Sequence, residues 1–207
     1  RAWRETAVLF DQSHHMAEIM VEGPDAFDFL QGLAINSFAN FDVNKAKQFV
    51  PCTHDGYVIG DVIIFRLAEQ QFLLVGRAPT INWVEFHAQT GGKSVTTERD
   101  DRSPSRPGGK PVMRKRYRYQ VQGPNAPEIL ERVNGGPVPN IKFFNMGEIT
   151  IAGRKVRALR HGMSGVPGLE IWGPYEEGDE IRDALLEAGK DLGLTQVGSR
   201  AYATNTL

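Results

Sequence analysis

Apolar residues recur at helical spacing in four segments of this chain, and each segment predicts an amphipathic helix. Apolar side chains at positions i, i+3, i+4 and i+7 share one helix face, which packs on a core. The four apolar sets are Ala26, Phe29, Leu30, Leu33; Ile81, Val84, Ala88; Ala126, Ile129, Leu130, Val133; and Ile181, Ala184, Leu185, Ala188, Leu192. Asp25 and Asn125 precede two of these helices and are candidate caps for their first-turn N–H groups.

Strand patterns lie between these helices. Residues 58–65 form a strongly β-branched run, and residues 72–76 form an apolar segment that ends in glycine. Residues 149–156 predict a hairpin with its turn at Ala152-Gly153. Tyrosine and valine alternate with arginine and glutamine over residues 116–121, which predicts a half-buried strand with a basic outer face. Helices packed on antiparallel strands predict the α+β class.

The chain contains an internal duplication. Residues 21–33 (VEGPDAFDFLQGL) and 121–133 (VQGPNAPEILERV) share Val, Gly, Pro, Ala and Leu at equivalent positions. In both segments a strand ends at Gly-Pro before a helix begins. The stretch 102–111 is rich in Pro, Gly and Ser, which is typical of a connector. We therefore expect two related α+β halves, residues 1–107 and residues 108–207.

Composition and charge narrow the possible classes. The chain has 207 residues, is 41% hydrophobic and carries a formal net charge of −1, so it can form a core but has no electrostatic case for nucleic acid or an anionic membrane. Cys52 is its one cysteine, which excludes an internal disulfide and a cysteine-cluster metal site and favours a reducing, cytoplasmic location. No apolar run approaches the roughly 20 residues that span a bilayer.

The stretch Arg99–Arg118 holds eight basic residues beside tyrosines. One interpretation is a nucleic-acid surface, with cations on phosphates and rings stacked on bases. The other is a solvated connector followed by a strand face, and we favour it because Glu98, Asp100 and Asp101 dilute the charge. We expect no nucleic-acid partner.

Asp11, His14 and His15 are the nearest approach to a metal-binding cluster. Adjacent histidines on a strand point to opposite faces and cannot readily share one ion, so we expect no metal. We expect instead that one histidine faces a pocket, where it can donate a proton near neutral pH, and that the other faces solvent or core.

Two charged residues stand out at strand positions. Glu170 interrupts an apolar strand and shares a face with Trp172, opposite Leu169 and Ile171. It is either a solvent-facing carboxylate or an acceptor for the N–H groups of a heterocycle beside apolar surface. Arg77 follows a strand end and is either a surface residue or a bidentate ligand for a carboxylate.

Four motifs carry a family resemblance: residues 21–26 (VEGPDA), 56–61 (GYVIGD), 121–126 (VQGPNA) and 168–171 (GLEI). They resemble the folate-binding family of glycine-cleavage T-proteins. Within that family, further segments are similar to the bacterial tetrahydrofolate-dependent O-demethylases of vanillate, syringate and 3-O-methylgallate. These segments are 9–16, 44–48, 75–79, 100–107, 143–146, 159–162 and 198–202.

The resemblance runs along the whole chain but covers less than half of a typical member. The chain also begins at Arg1 rather than at a methionine and enters a patterned segment at once. We therefore expect it to be a piece of a longer protein that lacks an N-terminal region and a C-terminal third domain.

The resemblance implies a folate site formed between the two halves. Glu170 matches the family's pterin-binding glutamate, and Asp61 matches the aspartate that T-proteins keep near the folate amine. Val75 lies in one of the similar segments and is assigned to the same cofactor site.

The resemblance also implies a substrate pocket. Arg77 matches the demethylase arginine that binds the benzoate carboxylate, where aminomethyltransferases usually have asparagine. Gln12 and His15 match pocket residues near the methoxy group. Tyr202 matches the catalytic tyrosine of the demethylases, where T-proteins carry a different residue.

The implied reaction is methyl transfer from an aryl methyl ether to N5 of tetrahydrofolate, which gives 5-methyltetrahydrofolate and a catechol acid. Positioning the two reactants in line supplies about 7–11 kcal/mol at best. A proton donor at the ether oxygen, either Tyr202 or His15, supplies about 10²–10⁴-fold. The alternatives are another T-protein-like aminomethyl- or methyltransferase and a folate-binding module without catalysis.

Overall fold

The computed structural model describes residues 1–101, 113–162, 165–198 and 201. Its helices are α1 (Ala2–Glu5), α2 (Ala26–Leu33), α3 (Ala78–Thr90), α4 (Ala126–Asn134) and α5 (Gly178–Ala188), with a 3-10 helix at Tyr175–Glu177. Its strands are β1 (Ala7–Asp11), β2 (Ala17–Glu22), β3 (Ala46–Phe49), β4 (Val62–Ala68), β5 (Gln71–Gly76), β6 (Thr96–Asp100), β7 (Arg116–Gln122), β8 (Met146–Ile151), β9 (Arg154–Leu159), β10 (Gly168–Pro174) and β11 (Leu194–Val197). No helix within these ranges is long and apolar enough to cross a membrane.

The chain divides into two units. The split unit consists of Arg1–His15 and Met113–Leu207, and the continuous unit is Met16–Val112. The predicted halves, 1–107 and 108–207, differ from this division at the N-terminus. The reason is backbone pairing: β1 lies between β7 and β11 in one sheet, so the first residues belong with the second half of the chain.

The split unit contains a six-stranded sheet in the order β11-β1-β7-β10-β9-β8. Neighbouring strands are antiparallel except for the parallel pair β1 and β11. Alternate residues of these strands form one apolar core with α4 and α5, including Leu9, Tyr119, Val121, Ile171, Ile129 and Leu185. The other residues of each strand point to the opposite face, because successive side chains of a strand alternate.

The continuous unit contains a five-stranded antiparallel sheet in the order β3-β4-β5-β2-β6. One face packs on α2 and α3 through a core that includes Ile19, Ile64, Phe72, Leu74, Leu30 and Val84. Each unit therefore has helices on one face of an antiparallel sheet. The predicted α+β class is confirmed.

The duplicated Gly-Pro motif has a structural requirement that is the same in both copies. Gly23 has φ of 140° and Gly123 has φ of 133°, a region that side chains with a Cβ rarely adopt. A Cβ at Gly23 would also collide with the carbonyl oxygen of Ser94, and one at Gly123 would lie 2.5 Å from that of Thr6. Both positions therefore need glycine, which explains why it recurs in the repeat.

Several predicted elements are present with small changes at their ends. The four predicted helices correspond to α2, α3, α4 and α5, although α5 ends at Ala188, before Leu192. The β8–β9 hairpin turns at Ala152 and Gly153, whose φ values of 51° and 76° are those of a tight hairpin turn. The β-branched run begins its strand at Val62, and Val58 is 62% exposed.

Two local predictions are wrong. Neither Asp25 nor Asn125 forms a side-chain cap hydrogen bond: Asp25 accepts from the N–H of Ser94, and Asn125 donates to the carbonyl of Leu192. The basic outer face of β7 is also absent, because Arg118 and Gln120 are each 1% exposed. Both faces of this strand are buried, and the polar one carries the site described next.

Candidate functional site

A buried ion pair lies on the face of the split unit's sheet opposite the core formed with α4 and α5. Glu170 on β10 is 4% exposed, and its Oε1 accepts a hydrogen bond from Nη1 of Arg118 at 2.5 Å. Arg118 lies on β7 directly opposite Trp172, and its guanidinium stacks 5.0 Å from the centroid of that ring. The solvent-facing interpretation of Glu170 is therefore wrong, since the carboxylate is buried beside a cation and an aromatic ring.

The second carboxylate oxygen of Glu170 has unused capacity to accept hydrogen bonds. It bonds to none of the described residues, and Nδ1 of His161 lies 3.8 Å from Oε2, too far for a hydrogen bond. This Nδ1 is itself buried and lacks a partner within the described ranges. A carboxylate oxygen and a ring nitrogen without partners can both be satisfied by a ligand that carries N–H groups.

Gln12 lies just after β1 and is tied to β7 through both its backbone and its side chain. Its N–H donates to the carbonyl of Arg118 at 2.8 Å, and its Nε2 donates to Oε1 of Gln120 at 2.7 Å. The next residue, Ser13, accepts the N–H of Arg118 on its hydroxyl at 3.0 Å. Gln12 is 6% exposed, so this predicted pocket residue is held in a buried polar network.

The two histidines follow in the turn between β1 and β2 rather than on a strand, which corrects the prediction. His14 is exposed, and its Nε2 lies 3.0 Å from the hydroxyl of Tyr175. His15 is half-buried and packs its ring edge-on against Phe10, with centroids 5.8 Å apart. His15 is thus the more enclosed of the two.

The continuous unit brings three predicted site residues to one end of its sheet. Val75 on β5 lies opposite Ile63 on β4, which lies opposite Gln48 on β3. Gln48 donates through Nε2 to Asp61, the residue before β4, at 3.2 Å. Continuing the β4–β5 register by two residues places Asp61 opposite Arg77, the residue that connects β5 to α3.

Val75, Asp61 and Arg77 differ in their exposure to solvent. Val75 is 8% exposed, whereas Asp61 and Arg77 are both exposed. Within the part of the chain that the structure describes, Arg77 forms neither an ion pair nor a side-chain hydrogen bond. An arginine without an internal partner at a strand end is available to bind a carboxylate from a ligand.

The opposite face of β7 carries a buried tyrosine pair that belongs to the core. The rings of Tyr117 and Tyr119 lie 5.0 Å apart. Burial raises the pKa of both phenols well above the ordinary range, and nearby carboxylates, Glu177 for Tyr117 and Asp11 for Tyr119, raise each further. Both therefore stay neutral at physiological pH and pack with α5 rather than transfer protons.

The predicted catalytic residue Tyr202 lies outside the described residues. The described residues contain no group of three or more His, Cys, Asp or Glu side chains placed to hold a metal ion. Sequence reasoning missed Arg118, Gln120 and His161. The alternation of polar residues along β7 is a signal for the first two, but the same alternation is equally typical of a solvent-facing side.

The family profile of the GCVT N-terminal domain matches residues 1–207. The chain belongs to the GCVT N-terminal domain family. The resemblance inferred from the Gly-Pro repeats and the GLEI motif is thereby confirmed at the level of the family.

Individual members of the family give finer comparisons. The chain is 59% identical over 207 residues to the syringate O-demethylase of Sphingobium sp. (strain NBRC 103272 / SYK-6), covering all of this chain and 44% of that protein. It is 35% identical over 208 residues to an aminomethyltransferase of Caldanaerobacter subterraneus subsp. tengcongensis, covering 98% of this chain and 52% of that protein.

A solved structure shows the same fold. The glycine cleavage system aminomethyltransferase T of Bartonella henselae superposes with a TM-score of 0.76 at 25% identity, covering 99% of this chain and 51% of that one. The chain thus spans about half the length of the relatives it matches.

Proposed function

We propose that this GCVT-family chain serves methyl transfer from an aryl methyl ether, a methoxybenzoate such as syringate, vanillate or 3-O-methylgallate, to N5 of tetrahydrofolate. One observation carries the proposal: identity over all 207 residues is 59% with a protein named syringate O-demethylase, against 35% with an aminomethyltransferase. The products are 5-methyltetrahydrofolate and a catechol acid. A cytoplasmic location and a small aromatic acid as partner are parts of the same proposal.

The residues around Glu170 fit a reduced pterin. A pterin ring presents N–H donors, and Oε2 of Glu170 is an acceptor that bonds to no described residue. The guanidinium of Arg118 balances the carboxylate charge, and Trp172 supplies apolar surface beside it. Tetrahydrofolate would supply the nucleophilic nitrogen that accepts the methyl group. We propose Glu170, Asp61 and Val75 as the residues that bind it.

The aromatic substrate requires three functions from the protein. Arg77 would bind its carboxylate through the guanidinium fork and so fix the ring. Gln12 would contact it near the methoxy group. As the O–CH₃ bond breaks, the phenoxide oxygen takes up a proton, for which His15 and Tyr202 are the candidate donors.

A product assay tests the proposal. The protein in its full natural length, with the 207-residue chain in parallel, is incubated with tetrahydrofolate and with methoxybenzoates, the glycine-cleavage intermediate or dimethylsulfoniopropionate. Mass spectrometry then detects 5-methyltetrahydrofolate. We expect it only with the methoxybenzoates. Its absence with every aromatic ether, from a protein that is folded and binds folate, would refute the proposal and leave another transferase or a folate-binding module.

Two variants then test the residue assignments. Arg77→Ala removes the carboxylate ligand, so we expect the KM for the methoxybenzoate to rise about tenfold or more, because hydrogen bonds to charged groups contribute about 1.5–3 kcal/mol. Arg182→Ala, a surface substitution on α5, is the matched control and should leave the KM unchanged. An unaltered KM in Arg77→Ala rejects the carboxylate role.

Tyr202→Phe removes a single hydroxyl. We expect turnover to fall about 10²-fold or more with folate affinity nearly unchanged, as for the loss of a general acid. Unchanged turnover would remove Tyr202 from the mechanism and leave His15 as the candidate donor.

A further inference from the structure

Three buried glutamine side chains form a continuous hydrogen-bonded chain in the split unit. Nε2 of Gln12 donates to Oε1 of Gln120 at 2.7 Å, and Nε2 of Gln120 donates to Oε1 of Gln122 at 2.8 Å. Nε2 of Gln122 donates to the carbonyl of Val166 at 3.0 Å. The three residues are 6%, 1% and 0% exposed, so little water reaches this chain.

The direction of the chain is set by backbone carbonyls. The two ends of an amide have nearly the same shape, so a glutamine alone can turn either end toward a neighbour. A backbone carbonyl can only accept, so Val166 requires the NH₂ end of Gln122. The carbonyl of His161, 3.4 Å from Nε2 of Gln120, imposes the same requirement independently on Gln120.

These two anchors determine which end of Gln12 is left free. With its nitrogen committed to carbonyl groups, Gln120 can offer only its oxygen to Gln12, which must then donate. Reversing the amide of Gln12 would place two carbonyl oxygens against each other in a buried site. The oxygen Oε1 of Gln12 therefore points away from Gln120, and none of the described residues donates a hydrogen bond to it.

The backbone of Gln12 is fixed as firmly as its side chain. Its N–H donates to the carbonyl of Arg118 and its own carbonyl accepts the N–H of His15. A carbonyl oxygen held in one orientation, with no donor among the described residues, is a hydrogen-bond acceptor that a ligand can use.

We propose that Gln120 and Gln122 are positioning residues that hold Gln12 with its carbonyl oxygen free for the substrate. The proposed substrates carry a phenolic hydroxyl next to the methoxy group, and this hydroxyl is the donor that the oxygen of Gln12 would accept. An ether without that hydroxyl should therefore react less well. This inference rests on the proposed function, in which Gln12 contacts the substrate.

The test compares two substrates that differ in that donor. The protein in its full natural length is assayed with 4-hydroxy-3-methoxybenzoate and with 3-methoxybenzoate, and kcat/KM is measured for each. The hydroxyl also alters the intrinsic reactivity of the ether, so the quantity compared is the ratio of the two kcat/KM values in each variant divided by the ratio in the unsubstituted protein.

Gln120→Met keeps the size of the side chain and removes its three hydrogen bonds, which join it to Gln12, Gln122 and the carbonyl of His161. We expect the preference for the hydroxylated substrate to fall about tenfold or more. Most of the change should lie in the kcat/KM of the hydroxylated substrate, because Gln12 is then no longer held with its oxygen toward the hydroxyl. Gln122→Met should lower the preference in the same direction but less, since His161 still orients Gln120. Asn125→Ala removes a side-chain hydrogen bond to the carbonyl of Leu192 elsewhere in the unit. It should lower stability without changing the preference.

The outcomes separate the two proposals. If the unsubstituted protein demethylates neither substrate, the proposed function is refuted and this inference with it. If it demethylates both but Gln120→Met keeps the full preference, the proposed function stands and the positioning role is refuted. A loss of preference in Gln120→Met that Asn125→Ala matches would also refute it, because the effect would then be one of stability alone.

Discussion

The buried pair of Arg118 and Glu170 allows a quantitative prediction. We consider the substitution Arg118→Met, which keeps most of the length of the side chain and removes its charge. The two side chains are 2% and 6% exposed and are joined at 2.5 Å, so the carboxylate would remain in the protein interior without its cation. Breaking a buried ion pair on one side costs about 3–5 kcal/mol.

A second contribution comes from Trp172. The guanidinium of Arg118 lies 5.0 Å from the centroid of its indole ring, and a desolvated cation–π contact contributes up to about 2 kcal/mol. A methionine retains part of that contact through its sulfur. We therefore expect Arg118→Met to lower the free energy of unfolding by about 4 kcal/mol, which moves the urea midpoint by about 2 M for a slope of about 2 kcal/mol per molar.

The assay is equilibrium unfolding in urea followed by tryptophan fluorescence. The double variant Arg118→Met with Glu170→Met removes both charges and should recover most of the loss, because apolar side chains of similar volume replace a buried pair at little cost. Arg132→Met is the matched control: its pairs with Glu128 and Asp191 are exposed, and each should contribute less than about 1 kcal/mol. A cost below about 1 kcal/mol for Arg118→Met, or a double variant no more stable than the single one, would refute the reasoning.

Three further predictions concern the fold. Gly123→Ala should destabilise the protein by about 2–4 kcal/mol in urea unfolding, because the new Cβ meets the carbonyl of Thr6 at a strained φ; a loss under 1 kcal/mol would contradict this. Gly32→Ala, in α2 with open space around it, should instead stabilise by about 0.5–1 kcal/mol in the same measurement, and any loss would count against the helix assignment. The pKa of Tyr119 is raised by burial, so folding favours its neutral form and the protein should lose stability as pH rises above about 10, the ordinary tyrosine value. Tyr119→Phe should reduce that slope in thermal melts taken from pH 9 to 11, and an unchanged slope would remove Tyr119 as its cause.

Local patterns predicted the elements of this fold well because the information lies within a few residues. The spacing of Ala126, Ile129 and Leu130 defines the buried face of α4 whatever packs against it. The turn of the β8–β9 hairpin can likewise be located from Ala152 and Gly153, since the two strands are adjacent in sequence.

The errors arose where a residue's environment is set by distant parts of the chain. Alternation along β7 predicted a strand correctly, but the same alternation describes a solvent-facing surface and a buried polar face. The difference depends on Glu170, which pairs with Arg118 through the β7–β10 register. The pairing of β1 with β7 is equally non-local, and no local pattern predicts that the first residues of the chain lie beside β7.

In the sheet of the split unit, residues that pack in the core alternate with residues that form the buried polar groups along the same strand. Along β7, the odd positions 117, 119 and 121 hold the core, and the even positions 118, 120 and 122 hold the ion pair and the amide chain. A library that randomises the even positions of β7 and position 172 of β10, and keeps Gly168 because a Cβ there would collide with the carbonyl of Val121, would therefore explore new specificities without changing the side chains of the helix-packed core. In the same way, natural family members can diverge in the reaction they catalyse by changing every second residue of a strand, without rebuilding the domain that carries it.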